Sequence, residues 1–190
     1  MKPVKMSFAL DISPKTVLQK VGRNPQLAVP DGFVYCAAST DLNVSYALTT
    51  SIVAFRRDMT SAVIYHGIQK VRIDGRLPDA EYNAKLYKAL TDLGQKLKQL
   101  GVKIDGWGID AGGRNFQAVC EFAKNSVQLT GLPACAMAGK ASHVFNPFMR
   151  SRLRDAIGRT ILCGDQAEQY KSGAGHKYMF FDSDAYREMV

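Results

Sequence analysis

Ile104-Asp105-Gly106-Trp107-Gly108-Ile109-Asp110-Ala111-Gly112-Gly113 decides the fold: a short apolar run that ends on an aspartate and turns on two glycines. A run of this length bounded by Gly reads as a buried strand, here Lys103 to Asp110, and the residues from Asn115 to Asn125 read as the helix after it. A carboxylate at the end of a buried strand is costly unless a cation, an arginine or backbone donors neutralise it. The same arrangement occurs earlier, where Phe33-Val34-Tyr35-Cys36-Ala37-Ala38-Ser39-Thr40 runs into Asp41. Asp41 and Asp110 together have the look of two halves of a divalent-cation site.

Outward from these runs, Tyr46 to Arg56 and Ser61 to Val71 are β-rich and separated by short polar links, the spacing of an antiparallel meander. From Asp79 to Leu100 the pattern changes to an amphipathic helix. Leu86, Leu90, Leu93, Leu97 and Leu100 recur at helical spacing, while Lys85, Lys88, Lys96 and Lys98 fall on other faces. Pro78 and Gly101 mark its ends. Further strands are expected at Ala134–Ala138, Thr160–Cys163 and His176–Phe181, with a basic helix over Pro147–Ile157 and a last helix from near Ser183. Residues 1–30 carry four prolines and one helical hint at Ser13-Pro14, and read as an arm or linker before a single domain over residues 31–190.

Three hairpin strands followed by helix, strand, helix and strand make a mixed α/β sheet. In a five-stranded sheet of this order the first and fourth strands can be neighbours, which would bring Asp41 and Asp110 to one edge. That arrangement resembles the ribonuclease H-like nucleases: three antiparallel strands, then parallel ones, flanked by helices. In such a site acidic residues hold one or two divalent cations that assist phosphodiester hydrolysis.

Composition is consistent with one globular domain. The chain has 190 residues, 46% of them hydrophobic, enough for one buried core. Its formal charge of +8 favours a polyanionic partner, nucleic acid first, against the alternative of a solvated basic surface. Cys36, Cys120, Cys135 and Cys163 are widely spaced within apolar runs and show no zinc spacing, so they read as buried thiols in a reducing compartment. No apolar stretch approaches the roughly 20 residues of a membrane span. The N-terminus lacks a secretory hydrophobic run, so no membrane role and a cytoplasmic location are expected.

An ordered set of motifs is similar to one family. Val29-Pro30-Asp31-Gly32 before the strand that ends in Ser39-Thr40-Asp41, Ile52-Val53-Ala54-Phe55-Arg56-Arg57-Asp58, and Ala62-Val63-Ile64-Tyr65-His66-Gly67 resemble its first three strands. Ile109-Asp110-Ala111-Gly112-Gly113 with Val119-Cys120-Glu121-Phe122, then Met137-Ala138-Gly139-Lys140, then Lys177-Tyr178-Met179-Phe180-Phe181 with Ala185-Tyr186-Arg187, resemble its later strands and helices. The family is the nuclease domain of the large terminase subunit of tailed bacteriophages, lambda-like branch, and the likeness covers most of residues 29–190.

The resemblance implies a Mg²⁺- or Mn²⁺-dependent endodeoxyribonuclease that cuts concatemeric double-stranded DNA during packaging in the bacterial host cytoplasm. It also implies a terminase ATPase motor, a small terminase subunit and a portal as partners. The motor itself is absent: Gly139-Lys140 is followed by Ala141, and Ala134 stands where a phosphate loop needs its first glycine. A third carboxylate is implied near the domain's end, for which Asp182 is the candidate, with Asp184, Asp165 and Glu188 behind it. Lys140, Arg150, Arg152, Arg154 and Arg159, interleaved with Phe145, Phe148 and Met149, suit a DNA backbone track.

Blander readings stand beside these. Asp41 reads equally as a turn residue and Asp110 as a helix cap. Gly112-Gly113 supply positive φ whatever the chemistry. His66, His143 and His176 are scattered and read as polar core or surface residues, and the basic run reads as a solvated helix face. A junction-resolving nuclease of the same superfamily, or a DNA-binding domain whose metal site has decayed, are the competing functions.

Overall fold

The computed structural model describes residues 25–43, 47–58, 60–71, 73–140, 161–162, 167–171 and 177–182. The strands are β1 (Tyr35–Asn43), β2 (Ala47–Phe55), β3 (Ser61–Lys70), β4 (Gly106–Asp110), β5 (Ala134–Lys140), β6 (Ile161–Leu162), β7 (Ala167–Lys171) and β8 (Lys177–Asp182). The helices are α1 (Asp79–Gln99) and α2 (Phe116–Thr130), the latter entered through a 3-10 turn at Gly113–Asn115. All eight strands form one sheet in the order β3-β2-β1-β4-β5-β8-β7-β6.

The first five strands are the expected mixed sheet, three antiparallel and then two parallel. β1, β2 and β3 pair antiparallel, and β4 and β5 add to the other side of β1 in parallel. β8 then joins β5 in parallel, and β7 and β6 extend the sheet as antiparallel strands. β7, Ala-Glu-Gln-Tyr-Lys, was not expected, because it has no apolar alternation to betray it. The expected helices at Ser13, Pro147–Ile157 and Ser183, and Cys163, lie outside the described residues.

Alternation along the strands puts one sheet face under the helices. Cys36, Ala38 and Thr40 of β1, Leu48, Thr50, Ile52 and Ala54 of β2, and Trp107 and Ile109 of β4 are all buried on it. Phe122 of α2 meets the Trp107 ring edge-on at 5.4 Å between centroids. α1 buries Leu86, Leu90, Leu93 and Leu97 as the leucine spacing predicts, and Gly94 lets it approach closely: an added Cβ there would lie 2.6 Å from Thr130 Cγ2 and 3.0 Å from Trp107 Cζ3. Each such leucine, fully buried, contributes about 1.5–3 kcal/mol of transfer free energy. Both helices therefore sit on Trp107.

The helix-side core also contains a polar link. Trp107 Nε1 donates to Thr40 Oγ1 at 2.8 Å, and Thr40 Oγ1 lies 2.9 Å from Thr50 Oγ1. Either hydroxyl can donate in the second bond, and the chain runs from β4 through β1 to β2. A one-residue slip of β1 would turn Thr40 out and bury Asp41, so this buried network fixes the register.

β4 begins at Gly106 rather than at Lys103. Asp105 explains the shorter strand: its Oδ2 accepts from the Cys36 amide at 3.0 Å, its own amide donates to Cys36 O at 2.8 Å, and its Oδ1 pairs with Lys103 Nζ at 2.6 Å. A side chain stands in for the ladder at that end.

Candidate metal centre

β1 and β4 run in parallel with Thr40 beside Ile109, so the next pair along is Asp41 and Asp110. Neighbouring strands are about 4.8 Å apart. Thr40 and Ile109 are buried on the helix side, and alternation turns both aspartates to the opposite face. After β1 the chain leaves toward β2 on one side, and after β4 it leaves through α2 toward β5 on the other. Connections that part in this way open a crevice at the carboxyl ends of the strands, the usual place for a ligand on an open α/β sheet.

Asp110 is half-buried and Asp41 is exposed. Burial pushes the Asp110 carboxyl above the ordinary carboxylate value, the Gly112 amide pulls it back, and the neighbouring Asp41 carboxylate adds to the rise. Gly112 N donates to Asp110 Oδ1 at 3.3 Å. A Cβ on Gly112 would lie 3.3 Å from Asp110 Oδ2 and 3.5 Å from Oδ1, so glycine leaves the carboxylate its space. Gly113, at φ +56°, takes the left-handed turn that leads into the 3-10 segment, whereas Gly112, expected to share it, has an ordinary extended φ of −63°. Upstream, Ala111 N donates to Met137 O at 2.7 Å and holds the end of β4 in the sheet.

Asn115, and not Asp110, is the residue at the N-cap of α2, and among the described residues the hydrogen bond to the Asp110 side chain comes from its own turn, at Gly112. Among the described residues no ion pair reaches Asp41 or Asp110. Two adjacent carboxylates, one of them losing hydration, with hard oxygens only, fit a hard divalent cation such as Mg²⁺ or Mn²⁺. Among the described residues no third His, Cys, Asp or Glu joins them.

Lys140 and Asp182 close β5 and β8 as direct register partners, at the same carboxyl-terminal edge as Asp110. Met137, beside Asp110, pairs with Met179, so the Asp182 backbone lies three residues further along and two strands across. That is about 10 Å in each direction. Arg150, Arg152, Arg154, Arg159, Asp184, Asp165 and Glu188 lie outside the described residues, as do His143 and His176. His66 is exposed on β3, with Nδ1 3.0 Å from Ser51 Oγ. Cys36 and Cys120 are buried thiols as expected, and burial pushes Cys120 to about 11, whereas Cys135, also expected to be buried, is only partly so.

Sequence reasoning missed Arg114. Its guanidinium stacks over Tyr82 and bonds the lead-in to α1, yet in sequence it is one more basic residue after a glycine pair. No helix among the described residues is long and apolar enough to cross a membrane.

No protein-family model matches the chain, and no curated protein matches it. Solved structures similar to it include human ENDOV, at 18% identity and a TM-score of 0.43, covering 84% of this chain and 75% of that one. Thermus thermophilus RuvC is similar at 12% identity and a TM-score of 0.35, covering 54% of this chain and 63% of that one. An Aquifex aeolicus member of the Ppx/GppA family is similar at 15% identity and a TM-score of 0.36, covering 76% of this chain and 50% of that one. The chain thus spans under two thirds of the RuvC and Ppx/GppA chains, and likenesses at this level assign no residue.

Proposed function

We propose that this chain is a divalent-metal-dependent endodeoxyribonuclease domain that hydrolyses phosphodiester bonds, and that it serves a bacteriophage packaging terminase in the host cytoplasm. The observation that carries the nuclease reading is the juxtaposition of Asp41 and Asp110 at the carboxyl ends of adjacent parallel strands, without a cationic partner among the described residues. The terminase assignment is supported by the ordered motifs from Val29 to Arg187.

In this reading Asp41 and Asp110 would hold Mg²⁺ or Mn²⁺ through carboxylate oxygens; Asp182, the third carboxylate implied by the resemblance, ends β8 two strands across and three residues further along, so the register does not itself bring it to the pair. The cation supplies Lewis-acid polarisation of a phosphoryl oxygen and lowers the pKa of a water toward neutrality. The protein supplies position. The Gly112 amide orients Asp110; hydrolysis would add a water oxygen to phosphorus as the P–O bond to one sugar oxygen breaks, with one of the water's protons leaving on that oxygen. Lys140, Arg150, Arg152 and Arg154 hold the DNA backbone by its phosphates and leave the bases unread. The ATPase motor, the small terminase subunit and the portal are the assembly partners.

Nicking of supercoiled plasmid in Mn²⁺ tests this. The wild type should nick, and Asp41→Asn and Asp110→Asn should lose at least about a hundredfold in rate, the order of a lost electrostatic contact at a reacting centre. DNA binding without any metal-dependent cleavage by the intact protein would make it a binding domain. Preferential cleavage of four-way junctions over linear duplex would make it a junction-resolving nuclease.

A further inference from the structure

A polar cluster at the turn after Asp110 is organised by Arg114. Its Nε donates to Asp79 Oδ1 at 2.8 Å, and its Nη2 lies 2.8 Å from the same oxygen. Nη1 donates to Gly75 O at 2.6 Å, and Nη2 donates to Leu77 O. The guanidinium carbon lies 4.2 Å from the centroid of the Tyr82 ring, whose hydroxyl donates to Asn115 Oδ1 at 2.7 Å. A guanidinium has five N–H groups in a rigid fork. Three donate within this cluster and Nη2 also lies against the Asp79 carboxylate, which leaves Arg114 poorly suited to carry a DNA phosphate despite its surface position.

The cluster joins two separate parts of the chain. Gly75, Leu77, Asp79 and Tyr82 belong to the approach and first turn of α1, whereas Arg114 and Asn115 belong to the turn after Asp110. Only Gly113 separates Arg114 from Gly112, whose amide bonds the Asp110 carboxylate. A Gly-Gly joint has little conformational preference of its own, so the direction of the Gly112 amide is set from its two ends. Upstream the fixed point is Ala111 on Met137 O, and downstream it is Arg114.

We propose that Arg114 is a positioning residue for Asp110: by tying the 3-10 turn to the start of α1 it holds the Gly112 amide on the Asp110 carboxylate, and so holds that carboxylate where it shares a cation with Asp41. The last clause rests on the metal-site reading; the first concerns the cation-free protein alone. Outer contacts that orient metal ligands typically change metal affinity 10–100-fold when removed.

The test uses the full chain and two readouts. In EDTA, the ¹⁵N–¹H resonance of Gly112 should shift when its acceptor is altered by Asp110→Asn, and this response should vanish in an Arg114→Ala background while the amides of β1, β4 and α2 keep their positions. In Mn²⁺, followed by the paramagnetic resonance of the free ion, Arg114→Ala should bind about tenfold or more weakly than wild type. Arg114→Lys, which keeps the charge and loses the fork, should fall with the alanine variant. If Arg114→Ala does not fold, Asp79→Asn, which weakens the same clamp, replaces it in both arms. A Gly112 response that persists without the clamp overturns the proposal, as does unchanged Mn²⁺ affinity. A wild type that binds no Mn²⁺ sinks the metal reading instead, and the Gly112 resonance still decides the clamp.

Discussion

Replacing Asp110 by asparagine should make the cation-free protein more stable and the cation-loaded protein less so. Asparagine keeps the side-chain size and an oxygen for the Gly112 amide, and it removes one of two adjacent negative charges. Two unit charges at about 4 Å repel by about 1 kcal/mol in water and more where solvent is partly excluded. Because Asp41 is exposed, the lower figure applies. For a domain of this size about 1 kcal/mol moves the melting temperature by roughly 2–4 °C, so Asp110→Asn should melt that much higher in EDTA. Mn²⁺ at a hundred times its dissociation constant stabilises the wild type by about 2.7 kcal/mol, or roughly 5–11 °C, and the variant should lose most of this gain. The order of the two proteins therefore reverses between EDTA and Mn²⁺. The pH sense follows from the raised Asp110 carboxyl. Its contribution to stability is present below the ordinary value of 3.8 and is lost as pH rises through the folded value, so the variant's advantage should disappear in acid and be complete at neutral pH. Melting curves followed by circular dichroism in both buffers read the effect. A variant less stable than wild type in EDTA, or one that gains as much from Mn²⁺, refutes the reasoning.

Thr40→Val should cost about 1–3 kcal/mol in urea unfolding, because it leaves the buried Trp107 N–H without its acceptor. Emission from the single tryptophan reports that transition directly. Gly112→Ala should leave the EDTA melting temperature within about 2 °C, its φ of −63° being open to alanine, and weaken Mn²⁺ binding about tenfold by crowding Asp110. An unchanged Mn²⁺ titration would contradict that. Arg150→Ala and Arg152→Ala should each reduce the slope of log affinity for duplex DNA against log salt by about one, equally for unrelated sequences. A loss confined to one sequence would mean base contact instead.

The residues that made the fold legible are those whose burial follows a period. Leu86, Leu90, Leu93 and Leu97 marked α1, and the alternation of β1 and β2 marked which side of each strand is core. Asp41 and Asp110 stood out because each ends such a run, and the register of β1 on β4 is what turns two separate marks into one place. β7 was not legible because Ala-Glu-Gln-Tyr-Lys carries no apolar alternation. Asp105 had the same appearance as Asp110 in sequence, yet its oxygens are taken by Cys36 and Lys103. Only the partners distinguish a structural aspartate from one left for a ligand. Arg114 was invisible for the converse reason, since its partners at Gly75, Leu77 and Asp79 are distant in sequence and two of them are backbone carbonyls.

Anomalous scattering from Mn²⁺ soaked into crystals of the full chain tests the central claim most directly. The account predicts a peak between β1 and β4, within about 2.0–2.3 Å of a carboxylate oxygen from each of Asp41 and Asp110, and its loss in Asp110→Asn. A wild-type crystal in millimolar Mn²⁺ that shows no peak there, or shows one that survives Asp110→Asn unchanged, would contradict it.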